Sequence, residues 1–215
     1  MKYVALLFDL DGTLVNSIDL YGEAVIASMK EIGDDLSQEA YRDWYIRGQH
    51  LRQMLEKFGK TEEGWPGVRG DRDRRYIALL KEKVAWCVGA KETLEYFFGK
   101  IPMALVTGSW MKYVDAIDAT LDLKKYFQEL VTVDDIGKMT KPHPHSLLLA
   151  ADRLGVDPKD CLFIGDQLFD AVASKAAGMP CCIVKGAYTP EEAMDQADFV
   201  LKSLEELKAL VGMPS

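Results

Sequence analysis

The chain has 215 residues, 48% hydrophobic and 28% charged, enough apolar material for one sizeable core with an insertion and too much for wholesale disorder. Lysine and arginine total 26 against 34 aspartates and glutamates, a net charge of −8, the wrong sign for a general binder of nucleic acid or of an anionic membrane. The longest apolar runs, Val4 to Phe8 and Leu147 to Ala151, fall far short of the ~20 residues that a membrane-spanning helix needs.

The stretch after Lys2 meets Asp9 before a secretory signal has room to form, so the expected location is the cytoplasm. Lys2 to Phe8 is a β-branched and aromatic run feeding the polar loop Asp9-Leu10-Asp11-Gly12-Thr13, which predicts a buried first strand. From residue 17 to residue 84 the pattern turns helical only, with helices expected over Ile18 to Ile32, Ser37 to Tyr45, Leu51 to Phe58 and Asp71 to Lys83. Within the last of these, Asp71-Arg72-Asp73-Arg74-Arg75 reads as a solvated face. Further strands are expected over Ile101 to Val106, Leu130 to Val133, Cys161 to Ile164 and Cys181 to Val184, alternating with helices over Trp110 to Leu121, His145 to Leu154, Gln167 to Ala177 and Ser203 to Val211. That alternation predicts an α/β fold with a doubly wound parallel sheet. The core would span residues 1–16 and 85–215, and residues 17–84 would form an inserted all-helical cap placed to act as a lid. Cys87, Cys161, Cys181 and Cys182 show no CxxC spacing and are expected to be reduced.

In an open parallel sheet, ligands bind outside the carboxyl ends of the strands, so the polar residues that end each apolar run carry the functional reading. Asp9 and Asp11 stand two apart on an extended segment and project to one side. Such a pair can divide labour, one attacking and one moving protons, once a divalent cation suppresses their repulsion. Asp166 would add a carboxylate to the same cleft, an oxygen-rich set that suits Mg²⁺, and Asp170 follows one turn later. Thr107, Gly108 and Ser109 lead into a helix, where free amides and short hydroxyls cradle anions. Lys141 adds a cation beside the rigid Pro142. Together these residues describe a phosphoryl site.

Phe8-Asp9-Leu10-Asp11-Gly12-Thr13-Leu14, Val106-Thr107-Gly108-Ser109, Lys141-Pro142 and Gly165-Asp166-Gln167-Leu168-Phe169-Asp170 resemble the motifs of the haloacid dehalogenase superfamily, in its helical-cap branch of phosphoglycolate phosphatases and β-phosphoglucomutases. The resemblance spans the chain. It implies that Asp9 takes the phosphoryl group as an aspartyl-phosphate, while Asp11 protonates the leaving oxygen and then activates water. It further implies that Thr107 and Lys141 hold phosphate oxygens, and that Mg²⁺ is bound by Asp9, the Asp11 backbone carbonyl and Asp166. Asp170 would support the loop or Lys141. Gln167 departs from the serine usual in the fourth motif, which predicts a tuned metal site.

The expected activity is hydrolysis of a small phosphate monoester, phosphoglycolate-like or a sugar phosphate. A mutase is the alternative, yet this chain has Tyr21 and Thr13 where the β-phosphoglucomutase branch carries a histidine and a valine-like residue. Haloacid dehalogenases lack the second acid that Asp11 supplies. A non-catalytic binding protein on the same scaffold is the remaining rival. Substrate choice is expected in the cap, where Arg47 and Arg52 flank Gly48-Gln49-His50-Leu51 and would grip a second anionic group.

Overall fold

In the computed structural model, which describes residues 2–47, 53, 56, 59 and 65–212, the apolar runs become parallel strands. They are β1 (Ala5–Phe8), β2 (Met103–Val106), β3 (Glu129–Val131), β4 (Cys161–Gly165), β5 (Cys181–Val184) and β6 (Phe199–Leu201). The sheet runs in the order β3-β2-β1-β4-β5-β6, every pair parallel. The strands were legible because both faces are covered, which demands continuous apolar runs rather than alternation with polar residues. Leu6, Phe8, Met103, Leu105, Leu162 and Ile164 fill one face. Their neighbours Ala5, Leu7, Ala104, Val106, Cys161 and Phe163 fill the other, the period of two that a pleated strand imposes.

The first face packs against α4 (Ala90–Phe97), α5 (Met111–Leu121) and α10 (Leu207–Val211) through Leu94, Phe97, Val114, Ile117, Leu207 and Val211. The second packs against α7 (His145–Leu154), α8 (Leu168–Ala176) and α9 (Glu191–Gln196) through residues such as Leu147, Ala151, Ala171 and Ala193. Between β1 and α4 the chain forms α1 (Ser17–Glu31), α2 (Gln38–Ile46) and α3 (Trp65–Lys83). These pack around Val25, Met29, Tyr41, Trp44 and Val68. The chain leaves and returns along one seam, where Cys87 N–H donates to the Leu14 carbonyl at 2.8 Å and Asn16 N–H to that of Ala85 at 3.1 Å.

Several expectations need correction. The strand expected over Leu130 to Val133 ends at Val131, because Thr132 and Asp135 form a reciprocal capping box that starts the one-turn helix α6 (Val133–Ile136). Strand β6 was not anticipated; three residues at the sheet edge, one of them exposed, give no usable periodicity. The helix expected over Ser203 to Val211 is a 3₁₀ turn, Leu204–Glu206, followed by α10. The helix expected from Asp71 begins at Trp65, with Pro66 in the first turn, where its missing N–H costs nothing. Arg72 is not solvated but buried at 6% exposure, since α3 turns this side toward α1 and α5. Of the helix expected over Leu51 to Phe58, all but Gln53 and Glu56 lie outside the described residues. Among the described residues no helix is long and apolar enough to cross a membrane.

Candidate active site

The sheet order reverses between β1 and β4, and the crevice at that switch point opens beyond their carboxyl ends. Asp9 follows β1, its amide tied to the Ile164 carbonyl at 2.8 Å, and Asp166 follows β4. Carboxylate oxygens of Asp9, Asp166 and Asp170 all lie within 4.8 Å of one another, and all three side chains are buried. Lys141, whose bond to Pro142 is cis, reaches in from the loop before α7. Its ammonium lies 2.6 Å from Asp9 Oδ1, 2.6 Å from Asp170 Oδ1 and 3.3 Å from the Val106 carbonyl. The ammonium donates hydrogen bonds to Asp9 and the Val106 carbonyl and forms an ion pair with Asp170.

Asp170 also anchors the loop, its Oδ2 accepting from the amides of Asp166 at 3.1 Å and Gln167 at 3.0 Å. This is one half of the capping box that begins α8; Gln167 supplies the other. Gln167 Nε2 further donates to Asp166 Oδ2 at 2.7 Å and to the Tyr188 carbonyl at 3.1 Å. Thr13 Oγ1 donates to the other Asp166 oxygen at 2.8 Å. Two close approaches require glycine. A Cβ at Gly165 would meet the Asp170 carboxylate 2.5 Å away, and one at Gly12, at φ +86°, would meet Asp166 Oδ2 at 2.6 Å.

The electrostatics follow from burial. Desolvation pushes the Asp9 carboxyl well above the usual range despite Lys141, with Asp170, Asp166 and Asp11 adding to the rise. Asp166 is pushed up to about 7, by burial first and then by Asp170. Lys141 stays charged, because Asp170 and Asp9 outweigh the burial that opposes its charge. Only one ammonium stands among these aspartates, and burial and mutual repulsion drive Asp9 and Asp166 toward the protonated form; their hard oxygens fit a divalent cation that would relieve that repulsion.

Asp11 stands apart from this cluster in its partners. Ser17 Oγ donates to its Oδ1 at 2.5 Å and Ser109 Oγ to its Oδ2 at 2.7 Å. Thr107 Oγ1 and the Tyr76 hydroxyl add longer contacts of 3.4 Å each. Neither Thr107 nor Ser109 is spent as the cap of α5: the N-cap is Trp110, and Asp134 accepts the first amide at 2.7 Å.

The structure thus brings together Asp9, Asp11, Thr107, Ser109, Lys141, Asp166, Gln167 and Asp170, with Gly108 exposed between the two hydroxyls. It does not bring Arg47 to them; that side chain is exposed and pairs with Asp43 at 3.8 Å. Arg52 lies outside the described residues. Sequence reasoning missed Thr13, Ser17, Tyr76 and Tyr188, whose contacts depend on partners that the sequence does not mark. It also missed Tyr45 of α2, whose ring stands edge-on to that of Tyr188 at 5.5 Å between centroids and whose phenol is raised by burial and then by the charges of Asp166 and Asp11. The four cysteines are free. Burial pushes the Cys161 thiol up to about 11 and those of Cys87 and Cys182 to about 12, too high for a working thiolate.

Fold and crevice together define an α/β protein whose chemistry rests on carboxylates and a lysine at a topological switch point. The profile of haloacid dehalogenase-like hydrolases matches residues 6–184. A phosphoglycolate phosphatase of Shigella boydii is 31% identical over 234 aligned positions, covering 96% of this chain and 92% of that protein. One of Escherichia coli is 31% identical over 232 positions with the same coverage. The crystal structure of a CbbY mutant from Rhodobacter sphaeroides in complex with xylulose-(1,5)bisphosphate has a TM-score of 0.84 at 24% identity, covering 96% of each chain. The chain belongs to the haloacid dehalogenase-like hydrolase family.

Proposed function

We propose that the protein is a Mg²⁺-dependent phosphatase that hydrolyses a small phosphate monoester through a phosphorylated Asp9. The observation that carries this reading is the pairing of two aspartates, two residues apart, in different environments. Asp9 sits in a buried carboxylate and lysine cluster, whereas Asp11 is surrounded by hydroxyls. An Asp9 oxygen bonds to phosphorus as the ester P–O bond breaks, and the Asp11 carboxyl gives its proton to the departing oxygen. Water then attacks the same phosphorus, its proton returns to Asp11, and inorganic phosphate leaves with Asp9 restored.

Thr107, Gly108, Ser109 and Lys141 receive the phosphate oxygens in this reading. Asp9, the Asp11 backbone carbonyl and Asp166 hold the metal, while Asp170 and Gln167 orient the loop that presents Asp166. Bound there, Mg²⁺ neutralises the repulsion between the carboxylates and the incoming phosphate. Residues 1–16 and 85–215 form the catalytic core and residues 17–84 the cap. With Arg47 away from the crevice and paired with Asp43, Arg52 is the cap cation proposed to grip a second anionic group, which favours phosphorylated acids or sugar phosphates. The 31% identity to phosphoglycolate phosphatases along 96% of the chain supports that class. Tyr21 speaks against the mutase alternative, because its hydroxyl is committed to Arg72.

The test is a screen of phosphorylated metabolites with and without Mg²⁺, run beside Asp9→Asn. Release of phosphate that requires both the metal and Asp9 is the expected result. Turnover by Asp9→Asn at the wild-type rate would overturn the reading.

A further inference from the structure

The side of α3 that the charge pattern assigns to solvent forms instead a buried polar network leading to Asp11. Tyr76 is 2% exposed. Its ring is wedged edge-on between Tyr21 of α1, at 5.1 Å between centroids, and Tyr113 of α5, at 5.0 Å. One turn earlier on the same side, the Arg72 guanidinium lies 5.0 Å from the Tyr21 ring centroid and bonds the Tyr21 hydroxyl. It also reaches Asp73 at 2.9 Å and the Tyr113 hydroxyl at 3.4 Å. Asp73 in turn takes bonds from Lys112 and, at 2.6 Å, from the Tyr113 hydroxyl. The phenol at the end of this stack has its place fixed by the seating of α3 on α1 and α5, and its hydroxyl points to Asp11 Oδ1 at 3.4 Å.

We propose that Tyr76 is a positioning residue for Asp11: its hydroxyl, with that of Ser17, holds the carboxyl oriented toward the leaving oxygen of the ester. The inference rests on the phosphatase reading above. Partner chemistry supports it. The groups around Asp11 are Ser17, Ser109, Thr107 and Tyr76, hydroxyls that donate to a carboxylate and can turn to accept from a carboxylic acid. A lysine or arginine there would stabilise only the charged form and oppose reprotonation. A group that gives up and regains a proton in each cycle needs partners that serve both states. The 3.4 Å separation is long for a hydroxyl bond, and catalytic hydrogen bonds commonly tighten only once substrate is bound. Because Tyr76 sits on α3 and Asp11 follows β1, the seating of the helical segment sets the orientation of the Asp11 carboxyl.

The discriminating measurement compares two leaving groups. An alkyl alkoxide needs a proton as the P–O bond breaks, whereas p-nitrophenolate departs readily without one. In Tyr76→Phe, which keeps the ring and its packing, kcat/KM on the best alkyl phosphate, which reports the steps up to loss of the leaving group and not the later attack of water, should fall about tenfold. On p-nitrophenyl phosphate kcat/KM should change less than about twofold. Tyr113→Phe removes a hydroxyl from the same stack without touching Asp11. It controls for lost stability, read as melting temperature, and should keep the wild-type ratio between the two esters. Equal losses on both esters in Tyr76→Phe, no loss on either, or the same selective loss in Tyr113→Phe would overturn the inference. A wild-type protein inactive on both esters with Mg²⁺ present would overturn the phosphatase reading, and the inference with it.

Discussion

Asp170 holds two neighbours at once, gripping Lys141 with one oxygen and two loop amides with the other. The bare Cα of Gly165 makes room for it. Gly165→Ala therefore forces the strand end or Asp170 to move, and the expected cost is about 2 kcal/mol of stability by urea unfolding; an unchanged midpoint would contradict that packing. Gln167 stands where the motif that the sequence resembles usually has serine, and the structure gives its side chain two contacts. Its longer amide spans from Asp166 Oδ2 to the Tyr188 carbonyl, and a serine is too short to make both bonds. Calorimetric titration of Gln167→Ser should show Mg²⁺ affinity reduced about tenfold. Affinity equal to wild type would mean that the amide does not tune the metal. Asp9, Asp11 and Asp166 were legible as polar residues closing apolar runs, and Lys141 as a cation beside Pro142 in the loop after the third strand. Thr13 and Ser17 were not, since a hydroxyl in a loop or at a helix start has many ordinary uses.

At the scale of elements, α3 shows how a charge pattern misleads. Arg74 behaves as the run suggests, exposed and paired with Asp71. Asp71 and Arg75 also reach Ser28 and Glu31 of α1, and Arg72 and Asp73 join α3 to α1 and α5. Burial opposes the Asp73 charge, yet the bonds from Lys112, Tyr113 and Arg72 outweigh it and hold the carboxyl below its ordinary value. A depressed folded value means that the unfolded chain binds more protons in this window. The stabilisation is thus present above the unfolded pKa of about 3.9 and lost as pH falls through the lower folded value. Unfolding free energies of wild type and Asp73→Asn should differ at pH 6, and the gap should narrow as pH falls below about 4. A gap of unchanged size across that range would show that the ionised carboxylate is not what joins the helices.

For the whole molecule, the decisive feature is the reversal of strand order between β1 and β4. It sets Asp9 and Asp166 side by side although 157 positions separate them in the chain. The buried acids outnumber the Lys141 ammonium beside them, so Mg²⁺ bound there as proposed, to the folded state alone, would stabilise it. At a hundredfold excess over its dissociation constant the gain is about 2.7 kcal/mol. Thermal unfolding should show this rise in wild type and not in Asp166→Ala; an equal rise in both would move the metal elsewhere.

The sequence by itself determined the layered α/β plan, the helical stretch after the first strand and the chemical kind of the site. Burial on both faces writes strands as continuous apolar runs, and chemistry at strand ends leaves polar residues where those runs stop. Only the tertiary structure decided which polar groups meet. Asp11 among four hydroxyls, Gln167 between Asp166 and Tyr188, and Arg72 beneath a tyrosine stack all depend on helices docking across long loops. Local propensity is blind to such contacts, because their free energy appears only once both partners have left water together.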